Sequence, residues 1–137
     1  MWEHRGRVAF AGVGHAEVSR RWDEDPETSI GALAIPGGGM SSEQRVRAIL
    51  ANDITVVVCT PTYALHLAEI AGANGLSLVE SSVRTTIHAG EPGASLSATK
   101  RRIEALWGAH CYDHTGATEV GAWGFECQAQ AGVHLNE

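Results

Sequence analysis

A short run of β-branched and apolar residues at positions 55–59 constrains the fold of this chain more than any other feature. The run lacks the apolar–polar alternation of a half-exposed strand, which predicts a strand that is buried on both faces. Pro61 follows, and proline is well suited to the first turn of a helix. Apolar residues at helical spacing then continue to Gly72. A buried strand that leads directly into a helix indicates a βαβ unit of a parallel sheet.

The same alternation extends through most of the chain. Ser41 with Gln44 predicts a capping box that starts a helix, and Gly108 ends a later helix that begins at Ser95 or Ser97. The predicted strands cover residues 30–35, 55–59, 83–88 and 109–112, and a hairpin covers 123–127 and 133–135. Residues 11–29 have no clean period and are interpreted as a loop or irregular helix. The predicted fold class is α/β, a mainly parallel sheet of βαβ units with a short C-terminal β-hairpin.

Length and charge restrict the class of protein. The 137 residues are expected to form one α/β domain over positions 1–137. The net charge of −6 argues against nucleic-acid binding, and the basic residues 100–102 are interpreted as a solvated helix face. No apolar run approaches the ~20 residues that span a bilayer, and the N-terminus does not resemble a signal peptide. We therefore expect a cytoplasmic protein that binds neither nucleic acid nor membrane.

The three cysteines form no CxxC pair, which favours reduced thiols over a disulfide framework. Cys59 ends the clearest strand and is expected in the core. Cys127 and His134 could be half of a zinc site, but their spacing matches no strong ligand template. A structural role for both residues is the preferred interpretation.

Polar, glycine-containing segments follow three predicted strands, at residues 60–63, 89–93 and 113–119. Because ligands of parallel α/β sheets gather beyond the carboxyl ends of the strands, we expect these segments to converge. Glycine lets backbone approach a ligand, a hydroxyl such as Thr118 donates to phosphate, and Glu119 offers the oxygen ligands that magnesium takes alongside phosphates. The three segments together predict a nucleotide site.

Several of these residues have a structural alternative. The turn at Glu91 and Pro92 would be structural if it stood alone, and the pairing with Thr118 and Glu119 favours a site. Tyr63 fits either a pocket wall for an apolar or aromatic substrate or simple packing. His114 fits either a polar contact or a surface histidine. Three further histidines are expected to be structural: His66, His88 and His110.

Four segments occur in an order that is typical of one family. Together, the motifs at residues 56–69, 89–93, 112–121 and 125–127 resemble the phenylacetate–CoA ligase family of adenylate-forming, AMP-binding enzymes. The resemblance covers about residues 30–137, whereas residues 1–29 match poorly. It implies a fragment, the middle part of the large N-terminal domain of such a ligase.

The resemblance implies ATP-dependent activation of a carboxylic acid to an acyl-adenylate, followed by transfer to coenzyme A. The implied ligands are ATP or AMP, Mg2+, coenzyme A as acceptor, and a small carboxylic acid of a class that includes aryl acids. Thr118 and Glu119 would be catalytic, with Glu119 as the magnesium ligand, and Tyr63 would border the substrate pocket. The implied nucleotide-binding residues are Gly90, Glu91, Pro92, Tyr112, Asp113 and His114.

The chain also departs from the family pattern. The Ser/Thr/Gly-rich phosphate loop and the catalytic lysine are not found in it, so we expect little or no adenylation by this polypeptide alone. It would act as part of a ligase, in a homodimer or with a complementing ligase fragment. The alternatives are a non-catalytic nucleotide-binding or interaction domain that self-associates, and an adenylating enzyme with a different acceptor.

Overall fold

Seven strands and three helices form a mixed α/β structure in the part of the chain that the structure describes. The structure is a computed structural model that describes residues 8–11, 32–35, 39–117 and 119–135. The strands are β1 (Val8–Ala11), β2 (Ala32–Ile35), β3 (Val56–Cys59), β4 (Thr85–His88), β5 (His110–Ala117), β6 (Gly121–Glu126) and β7 (Val133–Leu135). The helices are α1 (Ser42–Ala51), α2 (Pro61–Ala73) and α3 (Ser97–Trp107). The predicted α/β class is confirmed.

The sheet has the strand order β2-β1-β3-β4-β5-β6-β7. The first five strands in this order pair in parallel, and β6 and β7 continue the sheet as an antiparallel hairpin. The connections through α1, α2 and α3 all advance in one direction along the sheet. Right-handed crossovers therefore place these helices on one face, where α2 packs against both α1 and α3.

The core lies between that face and the helices. Val57 of β3 and Cys111 of β5, the two strands that flank β4, are buried, and Ile103 and Trp107 of α3 are fully buried in the same apolar cluster. The Trp107 indole Nε1 donates to the carbonyl oxygen of Ala64 in α2 at 3.1 Å. This bond satisfies the single polar atom of the largest core side chain and joins α3 to α2.

The helix ends follow local sequence signals. The predicted capping box is confirmed, because the Gln44 amide donates to Ser41 Oγ at 3.2 Å and the Ser41 amide donates to Gln44 Oε1 at 2.8 Å. Thr60 caps α2, with Pro61 in the first turn. Gly108 ends α3 at φ 62°, a left-handed conformation that favours glycine.

Two strands differ from the prediction. Residues 8–11, which the sequence analysis did not predict as a strand, form β1 between β2 and β3; this corrects the irregular interpretation at Ala11, while 12–29 lie outside the described residues. β5 is twice as long as predicted, because residues 114–117 pair antiparallel with β6 instead of forming a loop. An amide ladder to β6 satisfies backbone groups that a loop would leave to water.

The interpretation of residues 100–102 as a solvated face is wrong at Lys100. Arg101 and Arg102 are exposed, but Lys100 Nζ lies 2.7 Å from both carboxylate oxygens of Glu126, with side chains only 13% and 5% exposed. This ion pair joins the first turn of α3 to the hairpin. None of the helices in the described part of the chain is long and apolar enough to cross a membrane.

Gly93 and Gly72 form a matched pair for testing the packing of the 89–93 segment. A Cβ at Gly93 would lie 2.7 Å from Pro61 Cβ, whereas a Cβ at the helical Gly72 meets nothing within 4 Å. We expect Gly93→Ala to lower the free energy of unfolding by about 1–3 kcal/mol through overpacking. Gly72→Ala should raise it by about 0.5–1 kcal/mol through helix propensity. Urea denaturation measures both, and equal stability of the two variants would contradict the packing.

Candidate functional site at the carboxyl ends of three parallel strands

Cys59, His88 and Asp113 form a row at the carboxyl ends of β3, of β4 and of the part of β5 that pairs in parallel with β4. Cys59 pairs with His88, and His88 pairs with Asp113 in the parallel register. Two of the three predicted site segments, 60–63 and 89–93, follow directly from this row. The third predicted segment starts within it, at Asp113.

The 89–93 segment is seated on the first turn of α2. The amide of Thr62 donates to Glu91 Oε1 at 2.7 Å, and the Thr62 hydroxyl donates to the same oxygen in a short hydrogen bond. The hydroxyl, followed by the amide, lowers the pKa of Glu91 below its ordinary value. The first N–H groups of a helix lack intrahelical acceptors, and a carboxylate there is also favoured by the helix dipole. Glu91 therefore caps α2.

Two glycines permit this close approach. Gly90 has φ 90°, a conformation rare for other residues, and a Cβ there would lie 3.5 Å from Thr60 Cγ2. A Cβ at Gly93 would overlap Pro61. The backbone on both sides of Glu91 is thus packed against the start of α2. Pro92, the remaining predicted residue of this segment, is exposed.

The predicted residues of β5 are strand residues rather than loop residues. Tyr112, Asp113 and His114 are all half-buried. The amide of Asp113 donates to Glu126 Oε2 at 3.0 Å, and Asp113 Oδ1 accepts from the amide of His114 at 3.0 Å. Glu126 therefore joins Lys100 of α3 to the backbone of β5 at the row of strand ends.

Glu119 lies in the exposed turn between β5 and β6. Ala117, the last residue of β5, is four positions beyond Asp113, a distance of roughly 13 Å along a strand. Among the described residues, no hydrogen bond or ion pair joins Glu119 to the 89–93 segment. Thr118 lies outside the described residues. The roles of Thr118 and Glu119 stay predictions.

Tyr63 connects α2 to α1. Its hydroxyl accepts a short hydrogen bond from Arg45 Nη1 and lies 3.4 Å from Ser42 Oγ, and the Arg45 guanidinium carbon is 5.6 Å from the ring centroid. The half-buried ring also packs against the core cluster. These contacts explain its packing, and its role in a substrate pocket stays a prediction.

His88 is the buried histidine in the row of strand ends. The ring is fully buried, and its Nδ1 lies 2.9 Å from the carbonyl oxygen of Cys59. A carbonyl only accepts, so the proton is on Nδ1. Among the described atoms, Nε2 has no hydrogen-bond partner. Burial lowers the pKa of His88, an effect that the Cys59 carbonyl and the Asp113 carboxylate partly oppose.

The cysteines divide into two buried thiols and one partly exposed thiol. Burial raises the pKa of Cys59 to about 12 and that of Cys111 to about 11, so both are neutral thiols at physiological pH. A hydrogen bond with His134 lowers the pKa of Cys127. Within the described ranges, no group of three metal-ligating side chains occurs, and the zinc interpretation of Cys127 and His134 stays untested.

Sequence reasoning missed three residues of this region. Thr62 was recognised only as part of a strand-end segment, although a hydroxyl in the first turn of a helix is a ready donor to a neighbouring carboxylate. Lys100 and Glu126 are 26 residues apart, and no local pattern shows that long-range ion pair. His88 was expected to be structural, and its burial agrees with that interpretation.

The buried imidazole predicts acid sensitivity. Because the pKa of His88 is lower in the folded chain than the ordinary value of 6.5, the unfolded chain binds more protons as the pH falls below that value. Stability is then lost on acidification, with a slope of at most about 1.4 kcal/mol per pH unit for one proton. Urea denaturation at pH 7.5 and 5.5 should show a smaller pH dependence for His88→Gln. The exposed control His110→Gln should behave as the wild type, and equal pH dependence in all three proteins would contradict the assignment.

Comparisons with known proteins identify the fold. No protein-family model matches the chain, and no curated protein sequence matches it. The chain is similar to the solved structure of 2-hydroxyisobutyryl-CoA ligase in complex with 2-HIB-AMP and CoA. The sequence identity is 33%, the match covers 66% of this chain and 20% of that chain, and the TM-score is 0.58. It is also similar to the acyl-CoA synthetase of Brucella canis, with 27% sequence identity. That match covers 71% of this chain and 17% of that chain, with a TM-score of 0.53.

A more distant similarity supports the same architecture. ATP-bound MatB from Rhodopseudomonas palustris matches with 19% identity over 72% of this chain and 18% of that chain, with a TM-score of 0.50. The chain spans about a fifth of the length of the ligases that it matches. The solved structures that resemble it are acyl-CoA and adenylate-forming ligases, and its fold matches a fragment of the adenylate-forming enzyme fold.

Proposed function

We propose that this chain supplies the nucleotide-holding part of an AMP-forming acid–CoA ligase of the phenylacetate–CoA ligase type. The observation that carries the proposal is the contact between the 89–93 segment and the first turn of α2, beside Asp113 at the strand ends. The similar 2-hydroxyisobutyryl-CoA ligase was solved with an acyl-AMP and CoA. The motifs of the phenylacetate–CoA ligase family on these same segments support the finer assignment.

The reaction would proceed in two steps. A carboxylate oxygen attacks the α-phosphorus of ATP, the bond to the β-phosphate breaks, and pyrophosphate leaves. The thiol of coenzyme A then loses its proton to solvent and its sulfur attacks the acyl carbon, and AMP leaves with the bonding electron pair. Because both reactants of the first step are anions, catalysis depends on positioning and on charge neutralisation.

We assign the binding roles by segment. The backbone of Gly90 and Pro92 would border adenine and ribose, and Tyr112, Asp113 and His114 would lie along the nucleotide on the β5 side. Thr118 would donate to phosphate oxygens. Tyr63 would border the pocket for the carboxylic acid substrate, a class that includes aryl acids. We propose a cytoplasmic, single-domain fragment that works with a complementing ligase part.

Glu119 is the residue that would hold magnesium. Its exposed carboxylate has no hydrogen bond or ion pair among the described residues and is therefore available as a ligand. Magnesium is commonly bound by one or two carboxylates together with substrate phosphates, so a single glutamate fits. When bound, the ion would neutralise charge on the phosphate oxygens.

Calorimetry with Mg·ATP tests the proposal. We expect weak binding by the wild type and at least about a tenfold loss in Glu119→Ala, since a charge-assisted contact contributes on the order of 1.5–3 kcal/mol. Glu80→Ala is the matched control, because Glu80 is exposed in the turn that precedes β4, at the amino ends of the parallel strands and away from the candidate site. Equal affinity of both variants, or binding without magnesium dependence, would contradict the site.

A second candidate is a non-catalytic nucleotide-binding or interaction domain that self-associates. The exposed aromatic residues of the hairpin favour it. Trp123 and Phe125 of β6 are 37% and 50% exposed. β7 lies at the edge of the sheet, with Leu135 69% exposed. Exposed apolar edges of this kind mark association surfaces.

Light scattering over a concentration series tests self-association. We expect a concentration-dependent dimer that is weakened by the double substitution Trp123→Ser and Phe125→Ser, which removes the two exposed aromatic rings of β6. Val79→Ser is the control, since Val79 is 54% exposed in the segment before β4. A monomer at every concentration would rule out the homodimer.

A further inference from the structure

The Glu91 carboxylate is directed at α2. Oε1 accepts both the amide and the hydroxyl of Thr62, across 29 residues of sequence. Nucleotide contacts by this segment are then left mainly to its backbone. The resemblance alone implied that Glu91 lines the nucleotide, and the observed contacts give its side chain a different partner.

Three contacts hold the 89–93 segment against the start of α2. Gly90 packs against the Thr60 methyl group and Gly93 against the Pro61 ring, and the Glu91–Thr62 pair lies between them. The two glycine contacts limit how closely the backbones approach, but they are apolar and have little direction. The paired hydrogen bonds of Thr62 are directional and charge-assisted. They orient the segment on the helix, and the Thr60 side chain adds a smaller hydrogen-bonding contribution to the same carboxylate.

We propose that Thr62 is a positioning residue that sets the conformation of the 89–93 segment through Glu91. Where this segment holds the adenosine part of a nucleotide, an inference that rests on the proposed function, Thr62 determines affinity without touching the ligand. Tyr63, the proposed substrate-pocket residue, is the next residue of α2. The same helical turn therefore positions both the 89–93 segment and the proposed substrate pocket. Nucleotide and acid subsites would thereby keep a fixed relative position.

The hydroxyl can be removed without changing the shape of the side chain. Thr62→Val keeps the β-branched volume and the backbone amide but loses the Oγ1 donor. Thr62→Ser keeps the donor and loses one methyl group. Because Thr62 is exposed, neither substitution opens a core cavity. Thr85→Val is the matched control, since Thr85 is half-buried at the amino end of β4, away from the segment.

Two readouts on the intact chain separate the positioning role from the proposed function. The first is independent of nucleotide: NMR titration of the Glu91 carboxyl and hydrogen exchange of the amides of residues 89–91 and 93. In Thr62→Val the pKa of Glu91 should rise towards its ordinary value and the amides should exchange about threefold to tenfold faster, as expected for loss of one hydrogen bond. Thr62→Ser and Thr85→Val should behave as the wild type.

The second readout is AMP affinity in the presence of magnesium. We expect Thr62→Val to bind about threefold to tenfold more weakly and Thr62→Ser to restore binding. Unchanged exchange and an unchanged Glu91 titration in Thr62→Val would overturn the positioning role. Wild-type affinity in Thr62→Val would overturn its link to the nucleotide. Failure of the wild type to bind AMP would overturn the proposed function, and the exchange result would then decide the positioning role alone.

Discussion

The parallel register of β3, β4 and β5 is the constraint on which the rest of the structure depends. It places Cys59, His88 and Asp113 at one level, so that the segments that follow β3 and β4 must leave the sheet side by side. One of them becomes the first turn of α2, and the other folds back onto that turn. A helix start needs acceptors for its free N–H groups, and the neighbouring segment provides one in Glu91. Local helix chemistry and sheet register thus explain the same contact.

Much of the fold could be predicted because its signals are local. The capping box at Ser41, the proline in the first turn of α2 and Gly108 at the end of α3 each act within a few residues. The strand over residues 56–59 is recognisable from its β-branched composition. β1 was missed because four small and apolar residues carry little information without their two neighbouring strands, which come much later in the chain.

The candidate site was harder to predict, and for a physical reason. The sequence shows which residues follow each strand, so the meeting of the 60–63 and 89–93 segments could be expected. It does not show which way a carboxylate points. A glutamate in a strand-end turn is typical of a ligand-binding residue, yet Oε1 of Glu91 accepts hydrogen bonds from Thr62. Likewise, Lys100 looks solvated in its basic run, and only the fold brings Glu126 within reach.

The ion pair between Lys100 and Glu126 has a consequence for the alignment of the hairpin. Side chains alternate between sheet faces, so sliding β6 by one position against β5 would turn Glu126 away from the helices. Lys100 and the amide of Asp113 would then both lose their acceptor in a poorly solvated place, at a high energetic cost. Glycine-rich strands such as β6 are otherwise prone to slippage. The Glu126 carboxylate therefore specifies the register of the hairpin, because a shifted pairing would leave both of its partners unsatisfied.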